Sequence, residues 1–152
     1  MTGAGTPPGP EGAAPAIRPP RVGVLAVQGA FAEHEAAVAT AGGVATQVRT
    51  PEQLHDLDGL IIPGGESTTF GLVAGRSGLL GAVRARIRDG LPTLGTCAGM
   101  IMLADATTGG DQPLVGGMDM VVRRNAFGRQ IASFEAELSM PAVGPEALPA
   151  VF

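Results

Sequence analysis

The sequence predicts an α/β fold built on a doubly wound, mostly parallel sheet. Three observations predict it. Short, continuously apolar runs alternate with helical spacing in the order strand, helix, strand, strand, helix, strand, helix. Gln28, Gly64-Gly65 and Cys97 fall at the ends of three different strands, and in such sheets ligands bind outside the carboxyl ends. A cysteine flanked by paired glycines, Gly95-Thr96-Cys97-Ala98-Gly99, stands between a strand-like and a helix-like run.

Each element has its own signal. Met1 to Pro20 holds six of the 13 prolines and four of the 24 glycines, with Ile17 almost alone as a sizeable aliphatic. Such a segment cannot repay its ordering entropy, so 1–20 reads as a disordered leader. Arg21 to Val27 is a nearly unbroken apolar run, the pattern of a strand covered on both faces. Ala30 to Ala41 reads as a helix with Phe31 and Val38 inside and Glu33, His34 and Glu35 mostly outside, stopped by Gly42-Gly43. Val44 to Val48 is a second strand. Thr50 and Pro51 open a helical turn as N-cap and first helical residue. Asp58 to Ile62 is a third, buried strand.

Pro63-Gly64-Gly65-Glu66-Ser67-Thr68-Thr69 follows, and paired glycines there let the backbone approach a ligand. Ser67 or a neighbouring threonine is a candidate cap for the next helix. Leu80, Val83 and Ile87 recur at helical spacing, with Arg84, Arg86 and Arg88 largely outside and Gly90 as terminator. Leu91 to Leu94 is the fourth strand, and Met100 to Ala106 the helix after the cysteine. Further on, Gly109 to Pro113 reads as a loop, Met118 to Arg123 as a strand and Arg124 to Gln130 as a turn or loop. Residues 132–138 alternate with a period of two, as in a half-exposed strand. Met140 to Pro149 is a proline-rich connection, and Ala150 opens a last strand.

Composition narrows the partners. A chain of 152 residues with 45% apolar content fits one domain with a real core. One cysteine excludes an internal disulfide and suits a reducing cytoplasm. Net charge is −4, all ten basic residues are arginines without a dense cluster, and Trp and Tyr are absent, so nucleic acid is disfavoured. No apolar run reaches membrane-spanning length, and no secretory signal opens the chain.

The cysteine segment carries the chemistry. G-x-C-x-G is the thiol form of the nucleophile elbow, a turn so tight that its flanks must be bare. It leaves the sulfur exposed at the start of a helix, whose N-terminus favours an anion, and aims the Ala98 N–H where an oxyanion forms. A lone cysteine is more often a buried structural residue. Both glycines in register, with strand and helix on either side, favour the nucleophile.

Three stretches together resemble one family: Pro63-Gly64-Gly65-Glu66-Ser67-Thr68-Thr69, Gly95-Thr96-Cys97-Ala98-Gly99-Met100, and Arg124-Asn125-Ala126-Phe127-Gly128-Arg129-Gln130 with Ser133-Phe134-Glu135 behind it. Val27-Gln28-Gly29-Ala30 and Glu33-His34 match as well. From about Arg21 to Phe152 the chain resembles the glutaminase subunits of pyridoxal 5'-phosphate synthase, which are class I, or triad, glutamine amidotransferases. The resemblance implies a flavodoxin-like, three-layer amidotransferase domain over 21–152, incomplete at its C-terminus. It implies hydrolysis of L-glutamine to glutamate and ammonia, with ammonia passed to a synthase subunit for vitamin B6 biosynthesis.

Residue by residue, the resemblance makes Cys97 the nucleophile that forms a glutamyl thioester. Gly65 and Ala98 become the oxyanion-hole N–H donors, and Gly65, Glu66 and Ser67 the glutamine-binding turn. Arg124 would grip the substrate α-carboxylate with its planar guanidinium, and Gln28 would support the oxyanion hole where the synthase docks. Singly, Glu66 is as well explained as a first-turn helix acid, Arg124 as a solvated charge and Gln28 as a strand-end polar residue. No metal or cofactor is implied, and the expected setting is cytoplasmic, within a hetero-oligomer.

The sequence also departs from the family. The triad histidine and glutamate come from a His-x-Glu segment beyond the last residue of this chain, and the only histidines, His34 and His55, match neither position. Both read as surface residues. The expectation is a C-terminally truncated subunit that is inactive or nearly so. The alternative is a non-catalytic homologue that binds glutamine or the synthase without turnover.

Overall fold

The computed structural model describes residues 18–27, 29–65, 78–108, 113–123, 134–141 and 143–151. Four strands form its central sheet: β1 (Arg21–Leu25), β2 (Val44–Val48), β3 (Gly59–Ile62) and β4 (Thr93–Gly95). All neighbours are parallel, in the order β2-β1-β3-β4. The predicted mostly parallel sheet is therefore present. Helix α1 (Phe31–Thr40) connects β1 to β2, and α2 (Leu79–Arg88) precedes β4. The chain steps one way from β1 to β2 and the other way to β3, so the topological switch lies between β1 and β3. That is where a sheet of this kind opens a crevice at its carboxyl ends.

The strands are apolar because they are enclosed. Val24, Leu25, Val48, Leu60 and Ile62 are fully or almost fully buried. Leu25, Val48, Leu60 and Ile62 join Leu54, Leu79, Val83, Met102, Leu103 and Val115 in one core. Gly23 inside β1 leaves room for its neighbours, since a Cβ there would stand 2.5 Å from Leu57 Cδ1 and 2.9 Å from Val48 Cγ2, and those side chains would have to shift. A 3-10 turn, Pro51–Leu54, buries Leu54 and is entered as predicted, with Gln53 Oε1 accepting from the N–H groups of Arg49 (2.7 Å) and Thr50 (3.0 Å).

Past the elbow the structure corrects the expected helix. Helix α3 is only Ala98–Leu103, and residues 104–108 are strand β5 rather than more helix. β5 pairs in parallel with β6 (Met118–Arg123), and the Val115 and Gly116 N–H groups both donate to Met102 O. That pairing overrides the helical spacing of a run ending in Ala-Asp-Ala-Thr-Thr, whose threonines favour a strand. The guanidinium of Arg84 on α2 ties this segment down by donating to Val115 O and to Leu114 O (2.7 Å).

β7 (Glu135–Ser139) and β8 (Ala147–Val151) form an antiparallel pair. The proline-rich connection is thus shorter than expected, because Pro149 lies within β8 opposite Glu137. Ala132 and Ser133 of the predicted alternation, and the 109–112 part of the predicted loop, lie outside the described residues.

The leader needs a correction at its end. Arg18 forms a two-point ion pair with Asp58 at 2.7 and 2.8 Å, and Pro20 O accepts from Val44 N at 2.8 Å. Residues 18–20 are thereby joined to the sheet, while 1–17 lie outside the described residues.

Candidate active site

Cys97 sits in the turn between β4 and α3 with φ 50° and ψ −113°, a conformation that L-residues rarely adopt. Its side chain is exposed. The turn is held from both sides. Gly99 N donates to Thr96 O (2.8 Å), Met100 N to Cys97 O (3.1 Å), and Thr96 N to Ile62 O on β3 (3.1 Å). The two flanking glycines are required by contact. A Cβ on Gly95 would stand 2.6 Å from Gly99 backbone, and one on Gly99 would stand 1.9 Å from Ile62 O. These are the bare flanks that the spacing predicts.

The Gly64-Gly65 loop lies against this turn. A Cβ on Gly64 would be 3.1 Å from Cys97 Cβ and 3.8 Å from Cys97 Sγ, so the loop backbone borders the thiol. Gly65 has φ 150°, at the edge of the region that favours glycine. Ala98, the first residue of α3, is buried directly behind the cysteine. Gly29 closes the far side, where a Cβ would meet Gly64 O at 1.9 Å. The carboxyl ends of β1, β3 and β4 therefore converge, which sets Gly29 against Gly64 and Gly64 against Cys97. Gln28, Glu66, Ser67 and Arg124, with the proposed helix caps after Ser67, lie outside the described residues.

Two residues that the sequence reading missed stand beside the cysteine. His34 is half-buried rather than a surface histidine, and its Nε2 lies 3.1 Å from Thr96 Oγ1. Its Nδ1 lies 2.7 Å from Ala30 O, which can only accept, so Nδ1 carries a proton. In the neutral ring Nε2 then accepts from the Thr96 hydroxyl, and Thr96 Oγ1 accepts in turn from Gly64 N at 3.2 Å. Ala30 N donates to Gly64 O at 3.4 Å and closes the ring. The missed signal was spacing: Phe31, His34 and Val38 share one helical face. His55 lies just ahead of β3, at the opposite end of the sheet from Cys97.

A parallel sheet of order 2-1-3-4 with a strained cysteine elbow at its carboxyl edge is the arrangement of a class I glutamine amidotransferase. Comparison with known proteins agrees. The model of the SNO glutamine amidotransferase family matches residues 24–152, and the chain belongs to that family. It is 53% identical over 132 residues to the pyridoxal 5'-phosphate synthase subunit PdxT of Carboxydothermus hydrogenoformans, covering 87% of this chain and 69% of the relative. The PdxT subunit of Streptomyces coelicolor is also 53% identical, over 135 residues, covering 88% of this chain and 67% of the relative. A crystal structure of a glutamine amidotransferase superposes with a TM-score of 0.77 at 47% identity, over 86% of this chain and 69% of the other. A putative peptidase E from Listeria monocytogenes, with a TM-score of 0.53 and 12% identity over 70% of this chain and 66% of its own, shares the fold alone.

Proposed function

We propose that this chain is the glutaminase subunit of a pyridoxal 5'-phosphate synthase, and that Cys97 is its nucleophile. The observation that carries the reading is the conformation of Cys97, a non-glycine residue held at positive φ with its sulfur exposed beside the Gly64-Gly65 loop. Such strain persists only where the surroundings impose it, and it clusters at reacting groups.

In the proposed reaction the Cys97 sulfur attacks the side-chain carbonyl carbon of L-glutamine. A C–S bond forms, and the carbonyl π electrons move to oxygen, where the N–H groups of Gly65 and Ala98 receive the charge. Collapse breaks the C–N bond, and the amide nitrogen takes a proton to leave as ammonia. Water then cleaves the thioester to glutamate and restores the thiol. Glu66 and Ser67 are proposed to seat the glutamine, Arg124 to hold its α-carboxylate, and Gln28 to support the oxyanion site where the synthase subunit docks. Ammonia passes to that subunit within a cytoplasmic complex.

Neither histidine of the chain is placed to take the thiol proton. His34 commits both ring nitrogens, to Ala30 and Thr96, and His55 is at the wrong end of the sheet. Turnover therefore needs a base other than these two. The test is release of ¹⁵N-ammonia from amide-labelled glutamine by the protein with its synthase subunit, comparing Cys97 with Cys97→Ala. Where the parent turns over, loss of release by a factor on the order of 10⁴ or more is expected on removing the nucleophile. Measurable release by the parent that Cys97→Ala matches would dismiss Cys97.

A further inference from the structure

We propose that His34 is a positioning residue for the Gly64-Gly65 loop, acting through the Thr96 hydroxyl. The inference rests on the glutaminase reading above and assigns a role to a helix residue that touches neither substrate nor thiol.

A hydroxyl has one proton and two lone pairs, so Thr96 Oγ1 is free to turn. Nε2 of His34 at 3.1 Å fixes it: with Nδ1 donating to Ala30 O, Nε2 of the neutral ring accepts the hydroxyl proton. A lone pair of Oγ1 is then presented to Gly64 N–H at 3.2 Å. Gly64 O is held on the other side by Ala30 N. Both polar groups of Gly64 are thus fixed by residues that His34 contacts.

The peptide after Gly64 is planar and trans, so its N–H, which belongs to Gly65, points opposite to the Gly64 carbonyl. Holding Gly64 therefore sets the direction of the Gly65 N–H, the proposed oxyanion donor. A glycine pair has no side chain to resist rotation, and backbone of such freedom needs an external anchor. His34 also reads the elbow directly, since Thr96 is covalently bonded to Cys97. One imidazole in this way registers the loop after β3 against the turn after β4.

The experiment uses two readouts on the full chain, with His34→Ala, His34→Gln and Thr96→Val compared with the parent. The first is exchange of the Gly64 amide proton by NMR, which needs no catalysis. The second is labelling of Cys97, the chain's one thiol. A chloroketone analogue of glutamine, whose carbonyl must occupy the oxyanion site, is compared with iodoacetamide, which has no such need.

In His34→Ala and Thr96→Val the Gly64 amide is expected to exchange at least ~10-fold faster, as for a lost hydrogen bond. Chloroketone labelling is expected to fall ~10- to 100-fold, approaching the loss of an oxyanion donor, with iodoacetamide labelling within about 2-fold of the parent. His34→Gln, whose amide oxygen can accept from Thr96, is expected to restore much of both. Unchanged Gly64 exchange in His34→Ala overturns the proposal, and so does an equal fall with both reagents. If the parent itself shows no preference for the chloroketone, the glutamine-pocket reading fails, while Gly64 exchange still decides whether His34 anchors the loop.

Discussion

The carbonyl oxygen of Ile62 occupies the space that a side chain on Gly99 would need, 1.9 Å from the position of its Cβ. Strand β3 and helix α3 meet there backbone to backbone, and the same carbonyl accepts from Thr96 N. Neither backbone has a flexible end that can yield. Gly99→Ala is expected to cost about 3 kcal/mol or more, in the range of severe core disruptions. Urea unfolding of the purified variant measures it. A loss below about 1 kcal/mol would mean that β3 and α3 separate easily.

Cys97 is expected to be more reactive than it is stabilising. Positive φ in a non-glycine residue costs about 1–3 kcal/mol, and glycine forfeits about 0.5–1 kcal/mol of that gain through its unfolded-state freedom. Cys97→Gly should therefore raise stability by about 1 kcal/mol, whereas Cys97→Ala keeps the Cβ and should not. Paired denaturant midpoints decide, and equal midpoints would show that the turn carries no strain.

The clamp between Arg18 and Asp58 sets an acid limit. The Arg18 guanidinium, then the Arg21 N–H, hold the Asp58 carboxyl below its ordinary value of 3.8. A carboxyl with a lower value in the folded state adds stability that is complete above the unfolded value and is lost as pH falls through the folded one. The stability difference between the parent and Asp58→Asn should be constant above about pH 5 and shrink below it. Urea midpoints across that range check the sign, and a difference that grows in acid contradicts it.

Arg84 joins α2 to the segment after β5 through the carbonyls of Leu114 and Val115. Arg84→Met keeps the apolar stem and removes the donors. The expected loss is about 1–3 kcal/mol, with faster amide exchange at Val115 and Gly116, whose N–H groups bond Met102 O. Hydrogen exchange of β1 amides should not change.

Much of the central sheet was legible because burial on two faces leaves an unbroken apolar run, as in residues 21–25 and 59–62. The elbow was legible for a different reason: contact distances at Gly95 and Gly99 forbid any other residue, so the constraint is written into the sequence. The helix after the cysteine was misjudged because residues 104–108 take their state from pairing with residues 118–123. His34 was misplaced because a stripe of alanines around Phe31 and Val38 marks the inner face of α1 only weakly.

By itself the sequence determined the alternation of strands and helices, the glycine-bounded turn around Cys97 and the family motifs. These depend on residues within a few positions of one another, where spacing is enough. Only the tertiary structure decided that the strands run in the order β2-β1-β3-β4, bringing Gly29, Gly64 and Cys97 to one edge. It alone joined His34 to Thr96 across 62 residues of sequence. A hydrogen bond between distant residues leaves no local period, because its geometry exists only once the sheet has set the two ends side by side.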